Sequence, residues 1–438
     1  METAVKRPGI WVLLTGVFLL AGCAQGGGAG GPGSGTPVVV VTQTVTASAE
    51  PTAIPSSSPS PAVSPASSGD KWVAVAAGSY TTLAVKRDGT LWTWGLNDYG
   101  QLGWGTCDIV AHPVPRRVGH RRGWVTLSAG YGSSFAVRAD GTLWAWGNNS
   151  DFGGNLGLSA AGKVIVHSLT IPRDRWSPTR VGRADDWVAP FGGFQHTVAT
   201  KKDGVLWGWG ANYYGALGPQ GSATMDFVPT QVSHGGDYAA AAAGGDFSLA
   251  IKGDGSLWAS GSNIYGQLGL GDTAERHRLT LVGGGHDWTA VSAGLGHSLA
   301  LKRDGSLWAW GANNLGQLGV GDTAPRYSPT QIGSDTDWAQ VVCLGHHTLA
   351  LKRNGTLWAW GENGFGQLGV GDTADRHSPT PVGTSRDWAA LGSGSADSYH
   401  SLALQRDGTL WAWGLNKFGQ LGLGDTVDRH VPAEVGAR

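Results

Sequence analysis

Cysteine, methionine and charge are all scarce. The 438 residues include 3 Cys and 2 Met, and only 14% are charged. With so few cysteines and no Cys/His pair at metal-ligand spacing, neither a disulfide scaffold nor a structural zinc site is available. Cys343 stands where the repeat described below has alanine, far from Cys107, and is read as a small buried thiol rather than one half of a disulfide. The 31 Lys+Arg against 32 Asp+Glu leave a formal net charge of -1, which excludes the basic footprint of a nucleic-acid binder. Long apolar runs are missing as well. Ile10 to Ala21 is shorter than the roughly 20 residues of a spanning helix, and no segment carries a sustained amphipathic helical period. Because no Ser/His/Asp set, phosphate loop or fixed pair of carboxylates occurs, no catalytic residue, cofactor or metal is assigned.

Glycine and tryptophan are abundant, at 73 and 22 residues. Such a mixture of the smallest and largest side chains calls for a test of repetition. Seven copies of Leu-Trp, at Leu91, Leu143, Leu206, Leu257, Leu307, Leu357 and Leu410, mark seven units between Asp70 and Arg438. Each unit contains Asp-Gly or Asn-Gly between two apolar runs, a strong hairpin signal, with the glycine at 89, 141, 204, 255, 305, 355 or 408. In Leu-Trp-Ala-Trp the two indoles lie two residues apart, so a strand places them on one face with small residues on the other. The spacing predicts four short strands per unit. Seven such sheets stacked face to face around an axis give an all-β, seven-bladed propeller of four-stranded blades. The chain starts at an inner-type strand and ends at an outer-type one, which predicts a blade completed by strands from both ends.

The stretch "AGLGHSLALKRDGSLWAWGANNLGQLGVGD", Ala293 to Asp322, resembles the repeat of the regulator of chromosome condensation family, and the likeness extends over all seven units. The resemblance implies the same seven-bladed propeller but no single activity. Its members include a nuclear exchange factor, a plant UV-B photoreceptor and a secreted bacterial β-lactamase inhibitor, so function has to be argued from the site.

The residues before the repeats read differently. Lys6 and Arg7 precede the apolar run, which ends in "LAGC", Leu20 to Cys23, similar to the lipobox of bacterial lipoproteins. Residues 1–22 are then a signal peptide and Cys23 a lipidated membrane anchor, with ordinary secretory cleavage near the same place as the alternative. Residues 23–69, rich in Gly, Ser, Pro and Thr, form a disordered linker whose coil would span roughly 40 Å. The expected location is the bacterial cell surface or periplasmic side.

Residues that recur in every unit serve the unit, so candidates for function are those that vary. Four Asp/Arg pairs, Asp272/Arg276, Asp322/Arg326, Asp372/Arg376 and Asp425/Arg429, are read as loop staples rather than a ligand-binding ring of arginines. A column of flat side chains, Trp176, Phe227, His277, Tyr327, His377 and His430, is read as packing at the outermost strand. His196, His297, His347 and His400 are read as hydrogen-bonding to backbone near a turn, because Thr81, Ser133 and Phe247 replace them elsewhere and cannot act as imidazole ligands.

The variable pair just before that histidine column is the candidate ligand-binding face: Tyr80, Tyr131, Phe194, Gln195, Asp246, Leu295, His346, Asp397 and Tyr399. Unit seven carries an insertion there, "SGSADSY". By resemblance this loop faces one end of the propeller and carries the partner contacts of the inhibitor and the photoreceptor. None of the seven loops holds a tryptophan, which argues against light sensing. The expectation is a non-enzymatic propeller that binds a protein or cell-envelope ligand at that end. An inhibitor of a secreted enzyme such as a β-lactamase, or an enzyme on envelope polymers using Asp246 and Asp397, are the alternatives.

Overall fold

The computed structural model describes residues 70–150, 154–158, 164–166, 169–171, 173–218, 225–233, 235–394 and 398–436. The signal peptide, Cys23, the linker and Asp397 lie outside the described residues. Every regular element among those described is a strand. Blade 5 shows the pattern: Trp288–Ala293, His297–Lys302, Leu307–Gly311 and Arg326–Gln331 pair antiparallel in chain order. Seven such sheets form, and the third-to-fourth loop of blade 2 carries an extra small hairpin, Val164–Val166 with Leu169–Ile171. First strands of neighbouring blades pack on one another around the axis, whereas fourth strands are the most exposed.

The Asp-Gly turn works through a relay of side chains as well as through glycine. Gly305 has φ of 86° and its N–H donates to the Lys302 carbonyl. One Asp304 carboxylate oxygen accepts from the N–H and the hydroxyl of Ser306, and the Ser306 hydroxyl then accepts from the Trp308 indole N–H at 2.9 Å. Blade 6 does the same with Asn354, Thr356 and Trp358. Blade 3 has Val205 in the hydroxyl position, and the buried Trp207 indole N–H is left without a partner.

The two indoles of each pair do share a face, as the alternation requires. Trp288 meets Trp308 at 6.0 Å and Trp310 at 6.1 Å between ring centroids, both edge to face. This aromatic face of blade 5 packs on the aliphatic face of blade 4, where Leu249, Ile251, Leu257, Ala259 and Leu268 are buried with Trp310. A lysine closes the rim of the aromatic face: the Lys302 ammonium lies 4.8 Å from the Trp288 ring and 4.6 Å from that of Trp308, and pairs with Asp287 at 3.2 Å.

Neighbouring blades are joined through one backbone oxygen. The Gln267 carbonyl of blade 4 accepts from the Trp310 indole at 2.9 Å and from the Ser298 hydroxyl at 2.7 Å, both of blade 5. Gln101, Gln317, Gln367 and Gln420 repeat the joint for their neighbours. Gly269 has to be glycine here, since a Cβ would sit 2.8 Å from the Trp310 nitrogen.

That same joint closes the ring. Trp94 and Thr82 of blade 1 donate to Gln420 of blade 7, and Trp72 N–H donates to the Gly408 carbonyl. The expected blade built from both chain ends does not form. Blade 1 is Trp72–Ala77, Thr81–Lys86, Leu91–Asn97 and Asp108–Arg117, and blade 7 is Trp388–Leu391, His400–Gln405, Leu410–Gly414 and Arg429–Glu434. The repeats begin in phase with a blade, so no strand is missing and none needs to be borrowed. Blade 7 adds only a two-residue strand, Ser393–Gly394, parallel to Trp72–Ala77. Cys343 is buried and free, and burial pushes its thiol up to about 12.

Candidate ligand-binding end

Antiparallel order puts the first-to-second and third-to-fourth strand connections of every blade at one end of the wheel, and the Asp-Gly turns at the other. In blades 1 to 6 the first of these connections is a four-residue turn, whereas blade 7 carries its insertion there. Gly78 N–H donates to the Thr81 carbonyl at 2.7 Å, Gly193 to His196 at 2.7 Å and Gly244 to Phe247 at 2.6 Å. The two variable residues occupy the centre of the turn. The carbonyl of the second is bound by the third strand in every blade, for example Tyr80 by Leu96 N–H at 2.9 Å and His346 by Glu362 N–H at 2.9 Å. The backbone is thereby fixed while the side chain is free to differ.

The structure brings some of the candidate residues together and separates others. Tyr131 and Phe194, from blades 2 and 3, meet edge to face at 5.0 Å, and Phe194 and Leu295 both pack against the core shared by blades 3 and 4. Tyr80 lies against Phe418 at 5.1 Å, and Tyr399 against Phe365 at 5.7 Å. Gln195 and Asp246 are half-buried. Desolvation raises the Asp246 carboxyl to about 6. His346 is 6% exposed and burial lowers it to about 4, so it contributes little surface to this end.

The sequence reading missed the second circle of loops. The residues before Gly-Gln-Leu-Gly, or Gly-Ala-Leu-Gly in blade 3, among them Tyr99, Tyr213, Tyr214, Ile264, Tyr265, Phe365 and Phe418, share this end, with Tyr213 49%, Tyr214 42% and Ile264 63% exposed. These loops are held from beneath. Asn263 Oδ1 accepts Leu268 N–H at 2.9 Å, and Gln267 Oε1 accepts Tyr265 N–H at 2.9 Å. The Asp/Arg pairs complete the brace: Arg276 reaches Asp272 at 2.6 Å and the Ala274 carbonyl at 2.6 Å, as Arg326, Arg376 and Arg429 do in their blades. They act as loop staples. The flat column is packing as well, since His277, Tyr327, His377 and His430 each cover the first glycine of the preceding blade's loop, where a Cβ at Gly316 would lie 2.4 Å from His377. The signal for the second circle was the one used for the first, disagreement between copies beside an invariant frame.

The histidine column lies inside the wheel. His347 Nε2 lies 2.8 Å from the Ser401 hydroxyl and His400 Nε2 2.9 Å from that of Thr82, each on the next blade. Since Ser401 and Thr82 spend their own protons on Gln367 and Gln420 carbonyls, the imidazoles carry hydrogen on Nε2 and donate. The expected backbone partners are not what His347 and His400 find: Nε2 of each meets an interblade hydroxyl, His400 Nδ1 lies 3.3 Å from the Ser398 hydroxyl, and the buried His347 Nδ1 and His297 Nε2 have no partner. Burial lowers His196 to about 4 and His297 and His400 to about 3. Among the described residues no group of three His, Cys, Asp or Glu is placed to hold a metal ion.

Fold and end loops together define a seven-bladed repeat propeller whose blades each contribute variable loops to one end. The RCC1-like domain profile matches residues 50–397, and the regulator of chromosome condensation (RCC1) repeat profile matches residues 407–437. The chain belongs to the RCC1-like family. It is 33% identical over 214 residues to the ultraviolet-B receptor UVR8 of Arabidopsis thaliana, covering 47% of this chain and 45% of the receptor. It is 32% identical over 216 residues to the human E3 ubiquitin-protein ligase HERC2, covering 48% of this chain and 4% of the ligase. The chain thus spans less than half the length of these relatives. Among solved structures, human WBSCR16 superimposes with a TM-score of 0.67 at 22% identity, covering 80% of this chain and 95% of that one. Prp20p of Saccharomyces cerevisiae, described with its binding to Gsp1p and histones, gives 0.63 at 22% identity, with 80% and 90% covered.

Proposed function

We propose that the propeller is a non-enzymatic binding module, held at the outer side of a bacterial membrane by lipidated Cys23, which captures a protein or cell-envelope ligand on its loop-bearing end. The observation that carries this reading is the pairing of a fixed backbone with variable, half-exposed aromatics there. Tyr80, Tyr131, Phe194 and Tyr399 from the first circle of loops, with Tyr213, Tyr214 and Phe365 from the second, offer large rigid area at small entropic cost. The relatives of this family whose names record binding partners support a protein ligand; the anchor rests on the lipobox-like "LAGC".

The test is capture by the full chain from an envelope extract, with Tyr80, Tyr131, Phe194 and Tyr399 replaced together by alanine. Loss of the captured partner with an unchanged unfolding midpoint supports the reading, and unchanged capture refutes this face. Incorporation of labelled fatty acid that disappears in Cys23→Ser tests the anchor.

A further inference from the structure

The outermost strand of each blade has a free edge, and free edges invite pairing unless something guards them. In six blades the guard is a proline at one register: Pro115, Pro178, Pro229, Pro329, Pro379 and Pro432. Its direction follows from the ladder. Val282 N–H bonds the Leu257 carbonyl, and Trp258 faces Leu281 while Ala259 faces Thr280. Hydrogen-bonded and non-bonded pairs alternate, so the polar backbone groups of residues 279 and 281 point away from the blade. Proline at the register of 279 therefore deletes an outward donor without weakening the sheet.

Blade 4 lacks the guard. Its edge strand Arg276–Leu281 has Leu279 at that register and Leu281 at the next outward one, where the other blades have Arg117, Arg180, Gln231, Gln331, Pro381 and Glu434. Leu281 is 38% exposed. The position between the proline register and the flat column is also unlike its counterparts: Arg278 stands where the others have Val114, Ser177, Val228, Ser328, Ser378 and Val431. Asp272 and Glu275 in the preceding loop engage Arg276 and His277, at 2.6 and 2.9 Å. Among the described residues Arg278 has no ion pair.

We propose that this edge is a docking site for an extended acidic peptide segment, which adds to blade 4 as a fifth strand. Leu279 and Leu281 supply two outward donors and two acceptors, the exposed Leu281 side chain gives apolar contact while that of Leu279 packs inward against the core shared by blades 3 and 4, and Arg278 selects a carboxylate on the incoming strand. A second copy of the same strand is disfavoured, because antiparallel self-pairing would bring the arginines of both copies together with no carboxylate within Arg276–Leu281. The site is on the outer wall and is independent of the loop-bearing end.

The probe is a short fluorescein-labelled peptide that alternates valine with glutamate, titrated with the full chain by fluorescence anisotropy. Saturable binding is expected, with amide hydrogen exchange slowed at Leu279 and Leu281. Leu279→Pro is tolerable because six sister blades hold proline there, and it should weaken binding about tenfold by removing a donor. Arg278→Glu, a surface change, should weaken the glutamate peptide and favour one with lysine in its place. No saturable binding, equal binding by Leu279→Pro, or indifference to charge reversal overturns the proposal. So does a peptide-independent dimer, seen by sedimentation and abolished by Leu279→Pro, which would give the edge to a second copy.

Discussion

Blades 4 and 5 are neighbours built from the same repeat, yet they solve the interblade joint differently. Blade 5 sends the buried Trp310 to the Gln267 carbonyl, whereas blade 4 has Ser260 in that place, and its hydroxyl reaches the Ala216 carbonyl at 3.1 Å. Blade 4 also fills the histidine position with fully buried Phe247. The acceptor is thus the constant part of the joint, and either an indole or a hydroxyl can serve it. Losing the large ring is compatible with the wheel so long as the carbonyl is answered.

The largest expected effect breaks the blade 5 side of this comparison. Trp310→Ala removes a fully buried indole and one of the two donors to Gln267, and should cost about 3–5 kcal/mol in urea unfolding. Ser260→Ala in blade 4 removes only a hydrogen bond and should cost about 1 kcal/mol by the same measurement. Equal costs would mean that the ring adds nothing beyond its hydrogen bond.

Acid should separate the histidine blades from the others. His196, His297, His347 and His400 stay neutral in the folded wheel because burial lowers their pKa, whereas in the unfolded chain they take up protons below about pH 6.5. Stability is therefore unaffected by them above that pH and falls as pH drops towards 3–4, by about 1.4 kcal/mol per pH unit for each histidine. His400→Phe, which copies Phe247 of blade 4, should flatten the dependence of the urea midpoint between pH 7 and pH 4 by one histidine's share.

Two smaller changes restore what single blades lack. Val205→Thr gives Trp207 the hydroxyl that Thr90, Thr142, Ser256, Ser306, Thr356 and Thr409 give their own indoles, and should stabilise by about 1 kcal/mol. Gln405→Lys would place a cation over Trp388 and Trp411, as Lys302 lies over its pair, for about 0.5–1 kcal/mol. Thermal or urea unfolding of each variant checks both.

The architecture was readable because every signal it needs is a side chain at a fixed period. Glycine at 89, 141, 204, 255, 305, 355 and 408 takes positive φ, and the Trp pairs face neighbouring blades. The joint was not readable, since its acceptor is a main-chain oxygen and any residue at 267 would carry one. Closure was misread for a related reason: pairing of chain ends is one way to seal a ring, and the Gln420 carbonyl seals it without exchanging a strand. At the candidate site the first circle of variable residues was legible. The second was hidden beside the regular Gly-Gln-Leu-Gly, Gly-Ala-Leu-Gly in blade 3, which Tyr213, Tyr214 and Ile264 precede.

The central claim is that one carbonyl per joint, answered by the neighbouring blade, makes the wheel a single cooperative body. Native-state hydrogen exchange of the indole N–H groups tests it most directly. The expected result is that Trp94, Trp146, Trp209, Trp310, Trp360 and Trp413 exchange together, only through global unfolding, while unpartnered Trp207 exchanges faster. Separate exchange rates for the six, each blade opening by itself, would contradict it.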